Sequence, residues 1–199
     1  MVARTAEADK LLHELTARTL GEVIDFSASV AEEFDSLIAR GLFGLDINAQ
    51  KYPRLFSNGP PKAPTTGVNQ MVLSLGALSF FLHAIDRLSY RQRSAIFDPV
   101  AISLAQTFAE MLNTKNVKTT GNDTLYALQS AYLRYADAPT LLGQSAQDKN
   151  SAARLATHAI AKDVGHPGEV FSSLMFGKLL DGIVALDLAN RIAALEAVL

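Results

Sequence analysis

Met71-Val72-Leu73-Ser74-Leu75-Gly76-Ala77-Leu78-Ser79-Phe80-Phe81-Leu82-His83-Ala84-Ile85-Asp86-Arg87 is the segment whose reading decides the fold. From Met71 to Leu82 its apolar side chains fall all round a helical wheel, the pattern of a helix enclosed by other helices. A membrane span needs about 20 apolar residues. This run is shorter and is interrupted by Ser74, Gly76 and Ser79, so it reads as a buried core helix rather than a span. On a 3.6-residue pitch Gly76, Ser79, Phe80, His83, Asp86, Arg87 and Tyr90 share one broad stripe, opposite Leu75, Leu78, Leu82 and Ile85. The most apolar helix therefore carries a single seam of small and polar groups.

A buried polar group without a partner costs roughly 1–3 kcal/mol, so His83, Asp86 and Arg87 each need something to bond. They bond one another and neighbouring helices, or they line a ligand pocket. In the pocket reading Arg87 holds a small anion, because a guanidinium fork matches carboxylate or phosphate. His83 then serves as a proton donor or metal ligand. His83 and Asp86, at i and i+3, are the metal candidates, and axial ligation of haem by His83 belongs to the same reading. A second polar and aromatic stripe, Leu125, Leu128, Gln129, Tyr132 and Tyr135 with Arg134 beside it, is either helix packing or the wall that faces His83 and Arg87. The ligand-binding candidates are thus His83, Asp86, Arg87, Tyr90, Gln129 and Tyr132; no residue is assigned a catalytic role, and the cofactor stays unknown. Phe81-Leu82-His83-Ala84-Ile85-Asp86-Arg87 resembles a segment of uncharacterised bacterial helical proteins, and that resemblance implies no activity.

Outward from this helix the periodicity stays helical, and no segment alternates with period two. Leu11, Leu15, Val23, Phe26, Val30, Phe34 and Leu37 form a stripe, with one skipped turn, on a first helix from about Glu7 to Arg40. Gly21 is a place for it to bend and Gly41 a stop. The acidic residues Glu22, Asp25, Glu32, Glu33 and Asp35 read as its solvated side. Residues 44–66, with Pro53, Pro60, Pro61 and Pro64, form a long loop that is a lid or a plain crossover. The central helix runs from about Thr65 to Tyr90. Asp98-Pro99 reads as the start of a helix ending near Asn113. Asn122 or Asp123 caps the next, through about Ala136, and Ala138-Pro139 breaks it. Ser145 caps a helix that Gly165 closes after Val164. Pro167 and Glu169 open a last helix to the C-terminus. The expectation is an all-α, single-domain bundle of about six or seven helices with a central apolar helix.

Composition narrows the function classes. Across 199 residues the net charge is -2, from 18 basic and 20 acidic side chains, and 19% of residues are charged. No Lys/Arg run is present beyond Arg87, Arg91 and Arg93, which argues against a nucleic-acid partner. There is no cysteine, which excludes thiol catalysis and Cys-based metal sites and suits a cytoplasmic location. Met1 to Lys10 lacks the apolar core of a signal peptide. His13, His158 and His166 stand alone, and no Glu-x-x-His pair, phosphate loop, Gly-x-Ser-x-Gly elbow or dinucleotide fingerprint occurs. The first helix lacks a Lys/Arg-rich polar face, so peripheral membrane binding ranks last. The leading expectation is a bundle that works through protein contacts, self-association included. Leu188, Ile192, Leu195 and Leu199, at coiled-coil-like spacing on a terminal helix, need a partner surface. The alternative is a small-molecule, metal or haem-binding bundle, an enzyme among the options, around His83, Asp86 and Arg87.

Overall fold

The computed structural model describes residues 5–39, 67–143, 148–165 and 169–199. The expected 44–66 loop, the Ser145 cap and the positions of Pro167 and His166 lie outside them. Among the described residues there are seven α-helices and no strand: α1 (Ala6–Ala39), α2 (Gly67–Leu88), α3 (Arg93–Thr114), α4 (Gly121–Tyr132), α5 (Ala152–Asp163), α6 (Glu169–Leu186) and α7 (Leu188–Val198). A 3-10 turn, Tyr90–Gln92, joins α2 to α3. The protein is an all-α helical bundle, and one hydrophobic core draws on all seven helices.

Helix α2 is the rod at the centre. It packs against α1, α3, α4, α5 and α7, and every side chain from Ala77 to Ile85 is buried. Gly76 allows α5 to approach closely, since a Cβ there would overlap the Ile160 side chain. By length and composition Gln70–Leu88 and Tyr90–Thr114 would each suffice to cross a membrane. Within the bundle 56% of the first window and 44% of the second is buried. The burial of α2 on all sides accounts for its apolar composition without a bilayer.

Helix α1 buries Ala8, Leu12, Leu15, Val23, Phe26, Val30 and Phe34. Leu12 takes the core position expected of Leu11, which is half-buried. The skipped turn between Leu15 and Val23 is filled by Thr16 and Thr19. Their hydroxyls donate to the carbonyls of Leu12 (2.9 Å) and Leu15 (2.8 Å). Each threonine settles its polar group on its own helix and presents its methyl to the core. The helix continues unbroken through Gly21, which lies in open space.

Three boundaries differ from the sequence expectation. Helix α3 starts at Arg93, so Pro99 sits inside the helix. Pro99 cannot donate to the Ala95 carbonyl. Burial of Ile96 and Phe97 on the same turns offsets that lost bond. Asp98 is no cap; it pairs with Arg93 at 3.6 Å. Helix α4 is capped by Thr120: its hydroxyl accepts from the Asp123 amide (3.1 Å), and the Asp123 carboxylate accepts from the Thr120 amide (3.3 Å). Helix α5 takes Ser151 as its cap, and Gly165, at φ +83°, ends it as expected.

The expected last helix is two helices. Asp187 adopts the left-handed conformation (φ 47°, ψ 44°) and breaks it. The Arg191 Nε donates to the Leu186 carbonyl (2.9 Å) and the Asn190 amide to the Asp187 carboxylate (2.9 Å), which satisfies the interruption. The break redirects α7 onto α1 and α2. Leu188, Ile192 and Leu195 are buried there, within a single chain. The C-terminal stripe therefore has its partner surface in its own bundle, and it no longer argues for a second copy.

Candidate functional site

The seam of α2 faces α4 and the turn that follows it. The hydroxyl of Ser79 donates to the Leu128 carbonyl (3.1 Å), so in its 2.9 Å contact with Tyr135 it accepts from the phenol. Burial holds the Tyr135 phenol well above its ordinary pKa, which keeps it a donor. Tyr135 also meets Phe80 at a tilt of 56°, with ring centroids 6.5 Å apart. The two stripes named from sequence thus meet. The room above Gly76 is taken by Ile160 from α5, and the room above Ser79 by α4.

His83 lies at the middle of this contact. Its ring stacks on Tyr132 at 5.7 Å and stands edge-on to Tyr135 at 5.4 Å. It is 3% exposed, and among the described residues neither ring nitrogen has a hydrogen-bond partner. Burial first, and the Arg87 charge second, push its pKa down to about 4 against the opposing pull of Asp86. At neutral pH it is an uncharged imidazole with one donor and one acceptor, both unused.

Asp86 and Arg87 do not join it. The Asp86 carboxylate accepts from Arg93 Nε, and that hydrogen bond raises the Arg93 pKa further. The Arg87 guanidinium donates to the carbonyls of Ala138 (2.7 Å) and Pro139 (3.3 Å). Its fork therefore closes the turn after α4, where the sequence suggested an anion. Tyr90 is exposed and accepts from Arg91 Nε (2.8 Å). Gln129 is half-buried on α4. Of the six candidates, the structure brings together His83 and Tyr132. Among the described residues no group of three or more His, Asp or Glu side chains is placed to hold a metal ion, and Asp86 is committed to Arg93.

A different feature was missed by reading the sequence for chemistry. Helices α3 and α4 pack along one another as a hairpin. A Cβ on Gly121 would lie 3.4 Å from the Gln106 Cα, and Tyr132 acts electrostatically on Arg93, so the two helices run antiparallel. Neither Pro99–Ala109 on α3 nor Thr124–Leu133, on α4 and its C-cap, contains a charge, and Asp98, Glu110, Asp123 and Arg134 flank them. On their outer side Ile102 is 60% exposed, Tyr126 73% and Leu133 66%. Gln106 and Ser130 are exposed on the same helices, and Gln106 Nε2 donates to the Glu110 carboxylate (3.1 Å), which brings a charge to the edge of this side. The signal in the sequence was a gap in the charge pattern rather than a motif. No family model, no curated protein and no solved structure matches this chain.

Proposed function

We propose that this protein acts by contact through the outer face of the α3–α4 hairpin, and that the face pairs with a second copy of the chain. The observation that supports this reading is the uncharged, water-facing surface carrying Ile102, Tyr126 and Leu133. Isolated exposed apolar residues are ordinary on protein surfaces, whereas a patch that is also free of charge resembles the core of an interface. Tyrosine is favoured in such cores and charged residues are excluded from them. The absence of charge also suits self-pairing. A two-fold interface sets each patch against its own copy, and Ile102, Tyr126 and Leu133 bring no like charges together.

Sedimentation over a wide concentration range tests the proposal. The wild type should pass from monomer to dimer as concentration rises. The Ile102→Lys, Tyr126→Lys double variant should stay monomeric with an unchanged melting curve. A wild type that remains monomeric at hundreds of micromolar, or a double variant that still dimerises, overturns it.

One observation favours a second reading, a small-molecule site beside His83. The unpaired donor and acceptor on that ring would suit a neutral ligand with both groups. Nitrogen chemical shifts of the His83 ring in freshly purified protein check this. A hydrogen-bonded pair of ring nitrogens that reverts on extensive denaturation and refolding would mark a retained ligand; unchanged shifts would reject it.

A further inference from the structure

We infer that His83 is an acid-sensitive latch: protonation of its buried ring undocks the C-terminal half of α4 and the turn behind it from α2. The geometry around the ring carries the argument. A neutral imidazole is tolerated between Tyr132 and Tyr135 because it behaves as a flat, weakly polar filler. An imidazolium there would have two N–H donors and a full charge, with no acceptor for either among the described residues. The Tyr135 oxygen is oriented by its own bond to Ser79, and a tyrosine face attracts a cation only weakly compared with the cost of burying one.

The surrounding charges give no relief. Asp86 and Arg87, both on α2, are the charges that act on His83 among the described residues. Asp86 is held by Arg93, and Arg87 adds repulsion one turn away. From α4 the ring meets two neutral phenols, and Arg134 beside them pairs with Asp163 at 2.7 Å. From α3 Arg93 approaches Tyr132, another cation rather than a counter-ion. No group on α1, α5 or α7 contributes to the charge on the ring among the described residues.

The protonated ring must therefore reach water, and Tyr132, which stacks on it and is itself 9% exposed, is a cover that has to move. Helix α4 is the element that yields, because it is only 12 residues long and its outer face is open, whereas α2 is enclosed. Its Tyr126 and Leu133 belong to the proposed contact face, so acid should also weaken self-pairing. That second consequence rests on the proposed function; the latch itself does not.

The sign follows from linkage. The ring binds a proton less readily when docked, near pKa 4, than when free, near 6.5, so α4 docking is lost as pH falls through that window. These values correspond to an about thirtyfold rise in α4 opening between pH 7.5 and pH 5. Hydrogen exchange of the dilute full-length monomer, corrected for intrinsic rates, measures it. Amides of residues 128–138 should lose protection by about that factor while residues 77–85 of α2 keep theirs. His83→Phe should remove the response, and His83→Leu is the second variant should phenylalanine fit badly. An NMR titration of the wild-type His83 ring should follow the same curve. Equal α4 protection at both pH values, or the same acid response in either variant, overturns the latch. If the latch holds but sedimentation shows no dimer at pH 7.5, the contact proposal fails and the latch stands.

Discussion

Two segments of this chain look alike as sequence and end in opposite places. Gln70–Leu88 and Tyr90–Thr114 are both long, apolar and poor in charge. The first, α2, has no water-facing residue from Ala77 to Ile85. The second, carrying α3, buries Ile96, Phe97, Val100, Leu104 and Phe108 on one side and leaves Ile102 in water on the other. Apolar composition that faces five neighbouring helices needs no explanation beyond folding. Apolar, uncharged composition on the solvent side does, because charge on that side would have cost nothing. Helix α4 repeats the lesson, with Leu128 inside and Tyr126 outside. For this protein the informative surface is the one without charge, and the informative core residue is the one without a partner.

The largest test of the contrast falls on α2. Leu82 is fully buried, and Leu82→Ala should destabilise the fold by about 2–5 kcal/mol, read from urea unfolding. Leu78→Ala should behave in the same way, and a loss below 1 kcal/mol for both would mean that α2 is not the centre of the bundle. Arg87 comes next. Its guanidinium ties α2 to the Ala138 and Pro139 carbonyls, so Arg87→Ala should cost about 1–3 kcal/mol in the same measurement. Arg87→Lys should recover only part of that, since a point charge does not span two carbonyls as a planar fork does. A neutral Arg87→Ala would show that the turn after α4 is held by its own apolar contacts.

Much of this arrangement was legible in the residues. The start of α1, the enclosed character of α2 and the stop at Gly165 follow from periodicity and turn chemistry; the meeting of the Tyr132 stripe with His83 was left open by the sequence and is a result of packing. The break at Asp187 was passed over. Leu179, Ile183 and Leu186 keep one stripe and Leu188, Ile192 and Leu195 another, about half a turn out of phase with it on a 3.6-residue pitch, and the two were run together as one helix. It decides where α7 goes, and with it the fate of the C-terminal leucines. The start of α3 was misplaced because Asp98-Pro99 carries the marks of a helix start, and tertiary burial of Ile96 and Phe97 overrode them. At the site, the sequence left open whether the side chains bond one another, neighbouring helices or a ligand. Arg87 instead found backbone carbonyls, which are present at every residue and have no sequence signature.

The smallest expected effect on stability is the one that separates surface from core most sharply. Ile102→Lys and Tyr126→Lys each place a charge where the side chain already meets water, so each should change unfolding free energy by less than about 0.5 kcal/mol. In an interface the same charges would be buried against their own copies, which is why the double variant should abolish pairing while its urea curve overlays the wild type. If either lysine lowers stability by 2 kcal/mol or more, its parent side chain is contributing to the bundle rather than to a contact. The distinction between α2 and the α3–α4 face would then be one of degree: a core helix and a partly covered core helix, with no surface left over to act.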